Sequence, residues 1–169
     1  DRIHLVYDDF NQNDVNQPYK RFKITYFALP VDEGNDKRYA VYKTVQSWIQ
    51  VVGDDTGAWT TDCAECYVQQ KIRDHVVDME FVPLNKAGLK MVPLPSPGSN
   101  TAARENLYKI KAIDLRLTFR SKNEFFRFSS TSKPRWLKGL GDRHKAFLDK
   151  YLRDSVVVTI YTRNIGEGV

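Results

Sequence analysis

The sequence predicts an α+β fold: a single domain in which two or three helices pack on an antiparallel sheet, with one long apolar loop. Three observations predict it. Several segments alternate apolar and polar residues, as half-buried strands do. Others repeat apolar residues every three or four positions, as amphipathic helices do. At 169 residues the chain has the size of one ordinary domain. That domain is expected over residues 18–163, between a flexible N-terminal arm, 1–17, rich in Asn, Gln and Asp, and a C-terminal tail, 164–169.

The elements follow in order. From Tyr19, "YKRFKITYFAL" sets Phe22, Ile24 and Tyr26 against Arg21, Lys23 and Thr25, a half-buried strand that Pro30 should end. In "YAVYKTVQSWIQVVG" Val41, Val45, Trp48, Ile49 and Val52 recur at helical spacing, with Gly53 as the stop. "TDCAECYVQQKIRD" spaces Ala64, Val68 and Ile72 by four, which predicts a second helix. "HVVDMEFVPL" alternates and predicts a strand ended by Pro83. A loop of about twenty residues comes next, from Asn85 through "TAAREN", long enough to suggest either a function or disorder. "AIDLRLTFR" is the cleanest alternating strand, and "FFRFSS" should return against it as a hairpin. A third, short helix is expected over "DRHKAFLDKYLRD", with Asp142 as N-cap and Phe147, Leu148, Tyr151 and Leu152 as its stripe. The β-branched "SVVVTIYTR" predicts a final strand.

No run of apolar residues approaches the roughly 20 needed to span a bilayer, and "DRIHLVYDDF" lacks the pattern of a signal peptide, so the expected location is the cytoplasm or nucleus. Cys63 and Cys66 form the only cysteine pair. With three scattered histidines, His4, His75 and His144, zinc coordination is not expected, and Asp62 and Glu65 oppose thiolate formation. Two free thiols in a reducing compartment are the expectation. Phosphate loops, nucleophile elbows and zinc-protease motifs do not occur, so no enzyme, cofactor, metal or small-molecule substrate is proposed.

Two features carry the functional expectation. Residues 109–153 hold 13 Lys and Arg against 4 Asp and Glu, whereas residues 1–108 hold 12 against 15. Such asymmetry points to a polyanionic partner. Its densest part joins Lys133, Arg135, Lys138, Arg143 and Lys145 to Trp136, whose indole can stack on a base or rest at a lipid interface. The second feature is "NKAGLKMVPLPSPGSN", in which Leu89, Met91, Val92 and Leu94 lie among prolines and glycines. Apolar side chains on such a loop either cover the domain's own core or meet another surface, protein or membrane.

The order of "YKRFKITYFAL", the tryptophan-bearing "VYKTVQSWIQVV", the proline-rich apolar loop and "LYKIKAIDLRLTFRS" resembles that of rhabdovirus matrix proteins, of the short plant-virus type. The resemblance covers roughly residues 18–161. It implies a non-enzymatic structural protein of the virion that forms homo-oligomers, condenses the nucleocapsid (nucleoprotein and RNA) and ties it to the anionic inner face of the envelope during assembly and budding. Leu89, Met91, Val92 and Leu94 would then match the family's loop for self-association or membrane contact. The lysine-rich arm of animal-virus members has no counterpart, and their Pro-Pro-x-Tyr motif is reduced to "QPY" at 17–19. From charge alone, the alternative is a basic RNA-binding module or host-directed effector.

Overall fold

The computed structural model describes residues 2–10, 12–13, 15, 18–33, 36–50, 57–95, 100–125, 133–140 and 143–162. Gly53, Asp142, all but Phe125 of the expected returning strand over 125–130, and the tail lie outside them. The chain divides into two compact units, residues 1–75 and 76–169.

Among the described residues the architecture is mostly antiparallel sheet with one short helix, which overturns the expected α+β fold. In the first unit β1 (Arg2–Phe10) pairs with β2 (Tyr19–Glu33), β2 with β3 (Asp36–Gln50), and β3 with both β4 (Gly57–Thr60) and β5 (Tyr67–Leu84). Thus β1 lies within the segment read as an arm. β2 keeps the predicted facing: Phe22 pairs with Tyr7 and Ser47, and Thr25 with His4 and Thr44. It also runs through Pro30. The proline is tolerated because β1 pairs only as far as Phe27, so beyond it β2 has, among the described residues, a free side where a missing N–H costs nothing.

The first expected helix is β3. Its recurring Val41, Val45 and Ile49 are four residues apart, and four is a multiple of the strand's period of two, so that spacing serves either structure. What decides is composition: Tyr39, Val41, Tyr42, Thr44, Val45, Trp48 and Ile49 are β-branched or aromatic. The second expected helix fails for the same reason, since its Val68 and Ile72 lie in β5. The third is replaced by the short β8 (His144–Phe147) and a loop. Its stripe is used otherwise: Arg153 lies 3.8 Å above the Phe147 ring and Arg120 4.0 Å above Tyr151.

In the second unit β5 pairs with β6 (Ala112–Arg120), and β6 with β9 (Arg153–Tyr161). A bulge between Val76 and Asp78 leaves Val77 without a partner on β6, so that both Val76 and Val77 turn inward. Asn100 caps the short helix α1 (Thr101–Tyr108) by accepting a hydrogen bond from the Ala103 N–H at 2.8 Å. That helix falls where the sequence suggested only loop. A separate two-stranded ribbon pairs β7 (Arg135–Lys138) with β8.

The sheet of the second unit has two chemically distinct faces. Met79, Leu117 and Val156 form one cross-strand row; Phe81, Leu115 and Val158 form the next, and Pro83, Ile113 and Ile160 a third. The opposite face carries Asp78, Glu80, Arg116, Thr118 and Arg120, and these are all buried. The apolar rows, by contrast, are half-exposed at β9, where Val156, Val158 and Ile160 retain 50, 48 and 47% of their surface.

Candidate functional site

The ribbon β7–β8 divides the predicted basic stretch. Alternation turns Arg135, Leu137, Lys145 and Phe147 inward and Trp136, Lys138, His144 and Ala146 outward. On the inner side Lys145 Nζ donates to Asp78 Oδ1 at 2.7 Å and to the Val77 carbonyl at 3.2 Å. Arg143, in the turn before β8, donates to the same Asp78 oxygen at 3.0 Å. Arg135 donates to the Asp149 carbonyl. These three cations therefore hold the fold of this unit together.

Burial alone would favour the neutral form of Asp78, but the hydrogen bond and charge of Lys145, reinforced by Arg143, outweigh it and hold the carboxyl below its usual range. The turn of the ribbon rests on the neighbouring carboxylate: Leu140 N–H donates to Glu80 Oε2 at 2.8 Å, and Gly139 N–H to the Arg143 carbonyl at 2.7 Å. A β-carbon on Gly139 would lie 2.7 Å from Glu80 Oε2 and 2.9 Å from the Arg143 oxygen. Gly139→Ala is therefore expected to destabilise the ribbon by about 1–3 kcal/mol through overpacking. Faster amide exchange at Leu140 and Lys145 would register it; unchanged exchange would mean that the turn relaxes freely.

The outward face is different. Trp136 is 67% exposed, and Lys133 and Lys138 are exposed with no carboxylate partner among the described residues. Of the six predicted anion-binding residues, these three are presented to solvent together. The signal that could have separated them from Arg143 and Lys145 lies in β5, where Asp78 and Glu80 alternate in a strand otherwise apolar from Val76 to Val82.

The apolar loop is held by its first residue. Asn85 Oδ1 accepts from the Ala87 and Leu89 N–H groups at 2.9 and 3.0 Å, Gly88 turns with φ of 74°, and Leu84 bridges Lys90. Met91 N–H then donates to the Pro83 carbonyl at 3.0 Å. This anchored return leaves Leu89, Val92 and Leu94 exposed at 64, 79 and 59%, with Met91 half-buried.

Cys63 and Cys66 are joined in a disulfide that closes the turn between β4 and β5, in place of the two free thiols expected. His75 stands beside Asp74 in β5, and His144 points outward from the ribbon. Among the described residues no three His, Cys, Asp or Glu side chains are grouped to hold a metal, and no helix is long and apolar enough to cross a membrane. No family model matches the chain, and neither a curated protein nor a solved structure matches it.

Proposed function

We propose that this chain is a structural assembly protein of the viral matrix type, without enzymatic activity: it self-associates, binds the nucleoprotein–RNA complex and holds it against the anionic inner face of a membrane envelope. The observation that carries the reading is the anchored loop with Leu89, Val92 and Leu94 turned to solvent. A loop fixed by its own hydrogen bonds loses little entropy on docking, so apolar side chains displayed on it favour association. Support for the anionic partner comes from Lys133, Lys138 and Trp136 on the outer face of the ribbon. The order of helices and strands lends no support, because the sheet fold does not reproduce it.

A second reading, a basic RNA-binding module, is favoured by the same Trp136, since an exposed indole beside lysines is a stacking platform for a single strand. Co-sedimentation with anionic vesicles and titration with single-stranded RNA, each across a salt series, test both. The matrix reading expects salt-sensitive vesicle binding that falls when Lys133 and Lys138 become glutamine. RNA binding that is lost with Trp136→Ala, with no vesicle binding, favours the module. Binding to neither removes the anionic partner from the account.

A further inference from the structure

The first unit holds a cleft of about 350 Å³ on the sheet face opposite Phe22, Ile24 and Tyr26. Pleating and register build it: Arg2 and His4 from β1, Lys23, Thr25 and Phe27 from β2, and Thr44 and Gln46 from β3 all point to one side, with Thr61 and Val68 completing the rim. Its size lies at the small end of ligand sites.

The charge in it is one-sided. Residues 1–75 carry 12 Asp and Glu against 9 Lys and Arg, yet among the described residues no carboxylate lines the cleft and two of the basic side chains do, together with His4. On the same face Asp8 lies further along β1 and is taken by Arg21, at 2.6 Å. Lys23 instead sits 4.5 Å from the Trp59 ring centroid, and Arg2 lies 5.6 Å from that of Phe27. Aromatic faces position a cation without neutralising it. The floor is polar: buried Thr25 bonds His4 Nδ1 at 2.8 Å, and Thr44 lies beside it in the next strand. Burial, then the charges of Arg2 and Lys23, hold the His4 pKa below its ordinary value, and burial does the same to Lys23. The His4 shift therefore reflects the positive charges of Arg2 and Lys23 in addition to its burial.

We infer that this cleft binds the phosphate group of a small phosphate ester, with Arg2 and Lys23 meeting the phosphate oxygens and the Thr44 and Thr61 hydroxyls and the Gln46 amide supplying further hydrogen bonds. Phosphate fits better than carboxylate because its oxygens can be shared among donors from three strands and the rim at once. Phe27 and Val68 provide an apolar wall for the rest of the ester. The same chemistry is carried by a soluble metabolite and by a phosphorylated lipid headgroup. The inference does not depend on self-association, since every group belongs to one chain.

Calorimetric titration of the full chain tests it, using inorganic phosphate, glycerol 3-phosphate and, separately, vesicles with and without a phosphoinositide. The expected result is saturable binding of the soluble phosphates at one site, weakened about tenfold or more in Arg2→Gln and in Lys23→Gln, as loss of a charge-assisted hydrogen bond requires. Lys122→Gln, exposed and in the other unit, should bind as the parent does. Arg2 is exposed, so its variant is expected to keep the fold, which the far-ultraviolet circular dichroism would verify. Glycerol 3-phosphate competing with phosphoinositide vesicles identifies a lipid headgroup as the source; binding to the soluble esters alone identifies a metabolite. Absence of saturable binding to both soluble phosphates, or unchanged affinity in both cleft variants, overturns the inference.

Discussion

Asp78→Ala is expected to release the β7–β8 ribbon and to cost the second unit about 2–4 kcal/mol. The carboxylate is 3% exposed and takes hydrogen bonds from Lys145 at 2.7 Å and Arg143 at 3.0 Å. Without it, two cations face a polar interior with their partner gone. Breaking a fully buried pair costs about 3–5 kcal/mol, and the two cations, each a little over a third exposed, move the expectation toward the lower part of that range. If the interaction itself is responsible, the same substitution in a Lys145→Met, Arg143→Met background should cost markedly less. The pH dependence has a definite sign. Asp78 has a lower pKa folded than unfolded, so its contribution is present above the unfolded carboxyl value, about 3.9, and is lost as pH falls through that value and then through the folded one. Hydrogen exchange at ribbon amides should therefore accelerate in acid for the parent chain and depend less on pH in Asp78→Ala. Equal protection in the two proteins would show that the ribbon is held by something else.

The second large effect concerns association. Converting Leu89, Val92 and Leu94 together to serine should weaken self-association about a thousandfold. Burying such a side chain contributes roughly 1.5–3 kcal/mol when complete, and these three have 64, 79 and 59% of their surface still to bury. Roughly 1–2 kcal/mol each is then expected, and every 1.4 kcal/mol is a factor of ten. Their exposure also means that the substitution should leave the fold and its melting temperature nearly unchanged, which separates an interface effect from unfolding. Oligomer strength that survives the triple substitution would move the interface elsewhere. The half-exposed Val156, Val158 and Ile160 of β9 are the next place to look.

Much of the sheet was legible in the sequence. The alternation in 19–29, 75–84 and 112–120 and the β-branched run 155–161 pointed to four strands, and the facing of Phe22, Ile24 and Tyr26 opposite Lys23 and Thr25 matches the register. The helices failed for one physical reason: apolar residues four apart share a face in either structure, and Val41, Val45 and Ile49 carry no information beyond that spacing. Their β-branched and aromatic neighbours did, and propensity should have outweighed period. Which face of β6 is buried was not legible. Alternation identifies two faces but not which is covered, and here Asp78, Glu80, Arg116, Thr118 and Arg120 are buried while Val156, Val158 and Ile160 on the apolar side stay half-exposed. That followed from a long-range ion pair, Asp78 with Arg143 and Lys145, separated by more than sixty residues in sequence. The loop was legible because prolines and glycines fix its character locally, whereas the exposure of Leu89, Val92 and Leu94 was left open. The cleft was not, because its residues come from separate strands and meet only through register.

Sedimentation velocity of the parent chain over a wide concentration range, at low and moderate salt, tests the central claim most directly. The account predicts a sedimentation coefficient that rises with concentration and a triple serine variant that stays at the monomer value throughout. A parent chain that sediments as a monomer at every concentration would contradict it.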